Sequence, residues 1–172
     1  MTYGKIVFSL GAAALALSSP SYAGAGSDKA DPQEIVQKVQ EAAKSLSAAG
    51  EQGLAEFNKK PSPWVWKDTW VVVIDCNKGI TVAHPVKPDN VGKDFQATKD
   101  TKGNAFLVQV CAAAKQPSGG WVEHWSAKPG QTEGTRKVSY GLKAGNTPYV
   151  VYAGVYDDKV TIEDLAKVSG GK

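Results

Sequence analysis

Cysteine and histidine are scarce in this chain: two of each in 172 residues. Cys76, Cys111, His84 and His124 stand at unpatterned spacings, which do not assemble the three or four ligands of a metal site. No metal is expected. Neither cysteine belongs to a C-x-x-C or C-x-x-C-H run, so thioredoxin-like redox chemistry and c-type haem lack support, and no cofactor is expected. G-x-S-x-G, H-E-x-x-H, a P-loop and G-x-G-x-x-G are all missing, which leaves the motif-bearing hydrolases and nucleotide binders without a signature. An excess of one charge is missing as well. The 20 Lys and Arg nearly balance 17 Asp and Glu, and the longest basic block is Lys59-Lys60. That balance gives no electrostatic footprint for nucleic acid, and no nucleic-acid partner is expected. Internal repeats are absent too.

The longest apolar run stands at the start. Lys5 precedes Ile6–Leu17, IVFSLGAAALAL, and Ser21-Tyr22-Ala23 is a small-x-small cleavage site. This is the pattern of a secretory signal. Twelve helical residues reach about 18 Å against a hydrocarbon core of about 30 Å, too short for a span. Residues 1–23 are therefore expected to be removed, with Ala23-Gly24-Ala25 as a competing site after 25. Residues 24–30 read as a flexible lead, and residues 31–168 as a single domain. No later segment is apolar enough to cross a bilayer, so the mature chain is expected to be exported, without a membrane span, and most simply periplasmic.

Local signals order the domain. Asp31-Pro32-Gln33-Glu34 combines an N-cap Asp, Pro at the first helical position and an acid three residues after the cap. Ile35, Val39, Ala42, Ala43 and Leu46 follow at helical spacing, and Gly50 reads as the stop. A short helix over Gln52–Asn58 ends at Lys59-Lys60-Pro61-Ser62-Pro63. Strands over Trp70–Asp75 and Ile80–His84 flank Cys76-Asn77-Lys78-Gly79, where Asn and Gly are suited to the positive φ angles of a hairpin. After a Pro-containing loop, Asn104–Lys115 reads as a helix. Strands follow over Trp121–Ser126, Arg136–Leu142 and Tyr149–Tyr156, then a short helix over Ile162–Val168. This order predicts an α+β domain, with an antiparallel sheet and helices against it.

Several motifs in this order resemble the Cache family of extracytoplasmic sensor domains. The hairpin with its His84-Pro85 exit and Val91-Gly92-Lys93 is similar to the family's D-x-D-G-x-x-x-A-H-P and V-G-K runs. Ala55-Glu56-Phe57-Asn58 resembles its A-x-F-N turn, and Lys102-Gly103-Asn104-Ala105-Phe106 its D-G-K-x-F. Gly120-Trp121-Val122-Glu123-His124-Trp125 resembles its G-W-V-x-Y-x-W strand. Lys128-Pro129-Gly130, Lys137-Val138-Ser139-Tyr140 and Ala153-Gly154-Val155-Tyr156-Asp157 resemble its last strands. The variety most similar is the single Cache domain, second type, in a stand-alone secreted form. The resemblance implies a PAS-like five-stranded antiparallel sheet, a long N-terminal helix behind it, and a helical excursion between the second and third strands. Departures fall at His124, where the family carries Tyr, at Ser126-Ala127 in place of Trp-Pro, and at both cysteines.

The resemblance also implies a small ligand on one sheet face under the excursion. Strand side chains alternate, so Trp121, Glu123 and Trp125 share one face, and Val122, His124 and Ser126 the other. The sequence leaves open which face takes the ligand. The candidate ligand-binding residues are Trp70, His84, Trp121, His124, Trp125, Lys137 and Tyr140. Aromatics supply rigid walls with polar tips. Lys137 is the first candidate to meet a carboxylate, with Arg136 and Lys93 next. His84 is expected to fix its loop by a hydrogen bond or to line the pocket. A ligand contact at His124 would make binding pH-dependent near pH 6 to 7.

Cys76 and Cys111 have two readings. Export permits a disulfide worth roughly 4 kcal/mol on loop-closure grounds, and two buried thiols acting as small apolar groups are the other. The function expected is a periplasmic sensor that binds a small organic acid or similar polar metabolite. No second membrane helix and no output domain after Lys172 are expected, so a membrane receptor or kinase would carry the message. One alternative is an interaction module that docks on a membrane protein. The other is a hydrolase using Cys76 and His84, which would have to meet in space. Enzymatic activity is not expected.

Overall fold

The computed structural model describes Met1 and residues 28–128 and 130–170. The expected signal segment lies outside the described residues, as do residues 24–27 of the lead and Pro129. Ala30 is held in place: it is buried, and its N–H donates to Asp68 Oδ1 at 2.9 Å.

Helix α1 runs over Pro32–Ala49. Its start is a complete capping box: Asp31 Oδ1 accepts from the Glu34 N–H at 2.9 Å, and Glu34 Oε2 accepts from the Asp31 N–H at 3.2 Å. The other carboxylate oxygen of Glu34 takes Lys67 Nζ at 2.6 Å. Ile35, Val36, Val39, Ala42, Ala43 and Leu46 are buried against the sheet. The helix stops at Gly50 with φ 59°. A 3-10 turn over Gly50–Gly53 leads into α2, Leu54–Asn58, whose Phe57 is fully buried and stacks on Trp64 at 4.9 Å.

The strand expected over Trp70–Asp75 is two. A small ribbon pairs β1 (Val65–Trp66) with β2 (Thr69–Trp70), and β3 (Val72–Asp75) follows. The break is at Val71, whose N–H leaves the sheet ladder for Trp64 O at 2.9 Å. β3 then pairs with β4 (Ile80–Ala83). At their turn Asp75 Oδ1 accepts from the N–H groups of Asn77 and Lys78 at 2.9 and 3.0 Å. Of the Asn and Gly expected to supply positive φ, only Gly79 does so, at 72°.

Helix α3 spans Phe106–Ala113, shorter than the Asn104–Lys115 expected. It starts late because Asn104 is engaged elsewhere: its N–H and its side-chain amide both bond Asp100. β5 (Gly120–Ala127), β6 (Gly134–Lys143) and β7 (Tyr149–Tyr156) complete an antiparallel sheet of order β4-β3-β7-β6-β5. The last helix, α4 over Ile162–Val168, starts at Thr161, whose hydroxyl accepts from the Asp164 N–H at 3.1 Å. The α+β class, the five-stranded sheet, the long N-terminal helix and the helical excursion are therefore as expected.

Alternation divides the sheet into two environments. Val71, Val73, Val138, Tyr140, Val151, Ala153 and Val155 join α1 and Leu165 of α4 in one apolar core. Trp70, Val72, Ile74, Val122 and Val150 face the other way and meet Phe95, Leu107 and Val110. The Cys76–Cys111 disulfide bonds the hairpin to α3 across 35 positions of sequence.

Candidate functional site

The second face of the sheet carries a cavity of about 280 Å³. Its floor comes from β-register. His124 lies opposite Lys137, and Lys137 opposite Tyr156, so one row of side chains crosses β5, β6 and β7. The next row is Val122, Ser139 and Gly154. Gly154 has to lack a side chain here, since a Cβ would stand 2.3 Å from Ser139 Oγ and 2.5 Å from Val138 O.

The roof is the connection between β4 and α3. Its first part returns along β4: Gly92 N–H donates to Thr81 O at 2.7 Å, and Thr81 N–H to Lys93 O at 3.1 Å. This is the physical role of Val91-Gly92-Lys93, with Gly92 at φ 83°. The later part crosses to β5, where Thr101 N–H donates to Trp125 O at 3.2 Å and Trp125 N–H donates to Asp100 Oδ2 at 3.0 Å. Asp100 also accepts from the N–H groups of Lys102 and Asn104 and from the Asn104 amide. Burial opposes its ionisation, but these bonds prevail and hold its pKa at about 2. Asp100 is thus a carboxylate fully committed to shaping the roof.

Lys137 is 5% exposed. Its Nζ lies 4.4 Å from the Trp70 ring centre and 4.5 Å from that of Tyr156, a cation between two aromatic faces. It takes part in none of the ion pairs among the described residues. Burial lowers its pKa from 10.5 to about 8, with Asp68 pulling upward and Lys87 pushing further down. At pH 7 it is an ammonium on the cavity wall.

Both histidines reach the cavity and both are neutral at that pH. His84 Nδ1 accepts the Lys87 N–H at 3.0 Å, which puts its proton on Nε2. Burial, then the Lys87 and Lys137 ammonium groups, lower its pKa to about 4. Its backbone N–H donates to Asn58 Oδ1 at 3.1 Å, so the A-x-F-N turn positions the His-Pro exit. His124 stacks on Phe106 with ring centres 4.2 Å apart, and its Nε2 lies 2.9 Å from Ser139 Oγ. Burial, then Lys137, bring its pKa down to about 3. The titration near pH 6 to 7 expected of His124 is therefore displaced, because an apolar stack and a neighbouring ammonium both disfavour the imidazolium.

The structure brings Trp70, His84, His124, Trp125 and Lys137 to this cavity. Trp121 and Tyr140 are a correction. They are opposite one another in register, 5.3 Å apart between ring centres, and they pack in the core against α1. The cause is alternation: His124 faces the cavity, so Trp121 and Glu123 face the helices. Trp125 shares their parity but borders the cavity, because β5 is an edge strand and the roof loop wraps it; Lys102 Nζ lies 3.5 Å from its ring centre. Arg136 is also on the helix side, held by Glu123 and by the carbonyls of Asp157 and Val160. Lys93 serves the β4 edge through its backbone and is not part of the cavity wall. The hydrolase alternative fails on chemistry: Cys76 has no thiol, being bonded to Cys111, and His84 is at the opposite end of the hairpin.

Sequence reasoning missed Lys87, Phe106, Ser139 and Tyr152 as wall residues, and Tyr156 as the second ring against Lys137 Nζ. Register pairing with Lys137 is the signal that would have found Tyr156.

This chain is similar to one curated receptor in sequence and to solved sensor domains in fold. The methyl-accepting chemotaxis protein McpP of Pseudomonas putida is 32% identical over 82 residues, which are 48% of this chain and 15% of the receptor. The chain thus spans a small part of the curated relative that it matches. A solved Cache chemosensory domain, described for its carboxylic acid recognition, superposes with a TM-score of 0.60 at 25% identity and covers 73% of this chain and 92% of that one. A methyl-accepting chemotaxis protein from Vibrio parahaemolyticus RIMD 2210633 has the same fold at a TM-score of 0.59 and 19% identity, covering 77% and 89% of the two chains. Residues 67–161, from the β1–β2 turn to the cap of α4, match the Cache domain family. The hairpin, the roofed cavity and the sheet order all lie on that frame, and the chain belongs to the Cache domain family.

Proposed function

We propose that this domain is a periplasmic sensor that binds a small organic acid in the cavity above β5, β6 and β7, with Lys137 meeting its carboxylate. One observation carries this reading: a buried ammonium faces a cavity and forms no ion pair among the described residues, Asp68 acting on it only beyond contact distance. Such a charge is costly to bury and is relieved by an incoming anion. Trp70 and Tyr156 hold the ammonium by cation–π contacts, which position it without neutralising its charge. Neutral His84 and His124 and the Ser139 hydroxyl add hydrogen-bonding groups without competing charge. The disulfide suits an oxidising compartment. Relatives that are chemotaxis receptors support a sensory role, with the message passed to a membrane receptor or kinase partner.

Calorimetric titration of the folded protein with short-chain carboxylates at pH 7 tests the reading. Binding is expected, and Lys137→Met should weaken it by roughly tenfold or more, as for loss of a desolvated charge-assisted bond. Above pH about 8 the affinity should fall as Lys137 loses its proton. No binding by any carboxylate, or unchanged affinity in Lys137→Met, sinks the proposal.

A further inference from the structure

Charge on the cavity wall is unevenly distributed. Three lysines border it, Lys87, Lys99 and Lys137, against one carboxylate, Asp100. That carboxylate is unavailable, since its two oxygens already take four N–H groups from the roof loop and β5. Lys137 is buried at the floor, whereas Lys87 is exposed at the loop that follows His84-Pro85. Lys87 belongs to none of the ion pairs among the described residues. Its ammonium acts on both His84 and Lys137, which places it within electrostatic reach of the interior. Its backbone is fixed as well, because its N–H is bonded to His84 Nδ1 at 3.0 Å. The cavity therefore has a cationic floor and a cationic mouth, and neutral imidazoles and hydroxyls between them.

A monoanion neutralises one pole and leaves the other facing it. A ligand with an anionic group at each end satisfies both. We infer that the cavity selects dicarboxylates over monocarboxylates of the same carbon length, with Lys137 holding the inner carboxylate and Lys87 reading the outer one. This deepens the carboxylate reading and rests on it. Lys87 is a specificity residue: it is solvated, so its contribution is that of an exposed ion pair rather than a buried one.

Succinate and butyrate are matched probes of four carbons that differ in the second carboxylate. Calorimetry at pH 7 and fixed low salt gives their affinity ratio in the wild type and in Lys87→Gln. Because Lys87 is exposed, the variant should fold, and its circular dichroism and Tm verify that. The inference expects succinate to bind about two- to fivefold more tightly in the wild type, the upper part of the range for one surface charge pair. It expects the ratio to drop toward one in Lys87→Gln and to shrink as salt is raised. A wild-type ratio of one or below, or a ratio that persists in Lys87→Gln, overturns the inference and leaves the monocarboxylate sensor standing. If neither acid binds the folded wild type, the carboxylate reading fails with it.

Discussion

The two faces of the sheet use the same strands for opposite ends. On the helix face, β6 presents Val138 and Tyr140 to α1, and the contact is apolar and buried. One residue away on the same strand, Lys137 and Ser139 turn to the cavity, and the surroundings become polar and cationic. The helix face gains from burial, at about 1.5 to 3 kcal/mol for a fully buried aliphatic or aromatic side chain. The cavity face does the reverse: it keeps an unpaired ammonium and two imidazoles that burial has stripped of their protons. The helix face is apolar along its length, whereas the cavity face sets its own apolar cluster around α3 beside polar groups open to the cavity.

The largest test of this contrast is acid. His84 and His124 titrate near 6.5 when unfolded, but at about 4 and about 3 in the fold. The unfolded chain binds more protons below pH 6.5, so their contribution is fully present above that value and is lost as pH falls through 4 and then 3. Roughly 3 kcal/mol at His84 and roughly 5 kcal/mol at His124 are at stake. Urea unfolding from pH 7 to pH 3 should show the loss, and His84→Gln should flatten the upper part of the curve. An unaltered slope would mean that the imidazoles are not neutralised by the cavity.

Second is the bond that anchors the roof. Replacing both Cys76 and Cys111 by Ser should cost about 2 to 4 kcal/mol, from the loop of 35 positions that it closes. α3 has eight residues and no side-chain cap, so it depends on its attachments. Ligand affinity should therefore fall together with stability in the double variant. A loss of stability with affinity intact would show that the roof is held by its loop contacts alone. The smallest effect belongs to the helix face. Asp31→Ala removes the N-cap and one half of the capping box and should cost about 1 kcal/mol in urea denaturation, with no change in ligand affinity.

How far the sequence led depended on whether the signal was local. Asp31, Pro32 and Glu34 announce α1, and the structure shows the reciprocal bonds that their spacing implies. The strands β5 to β7 are within two residues of expectation because their β-rich runs are bounded by glycines. β1 was not legible, since a ribbon two residues long has no period to detect. Which face held the cavity was not legible either. Trp121 and His124 are both plausible wall residues, and only the position of α1 decides between the parities. Lys137 was legible as a candidate and does line the cavity, but its lack of an ion pair among the described residues is a property of the folded neighbourhood. Lys87 and Phe106 come from an irregular connection and a short helix, and nothing in their own sequence announces where these will lie.

The connection from β4 to α3 has one more consequence. It bonds to Thr81 on one outer strand and to Trp125 on the other, so a single segment occupies both rims of the sheet. A bare rim is a template on which other chains add strands and aggregate. The segment that roofs the cavity therefore also covers the edges that would invite association. In this domain, roofing the cavity and covering both sheet edges draw on the same few hydrogen bonds.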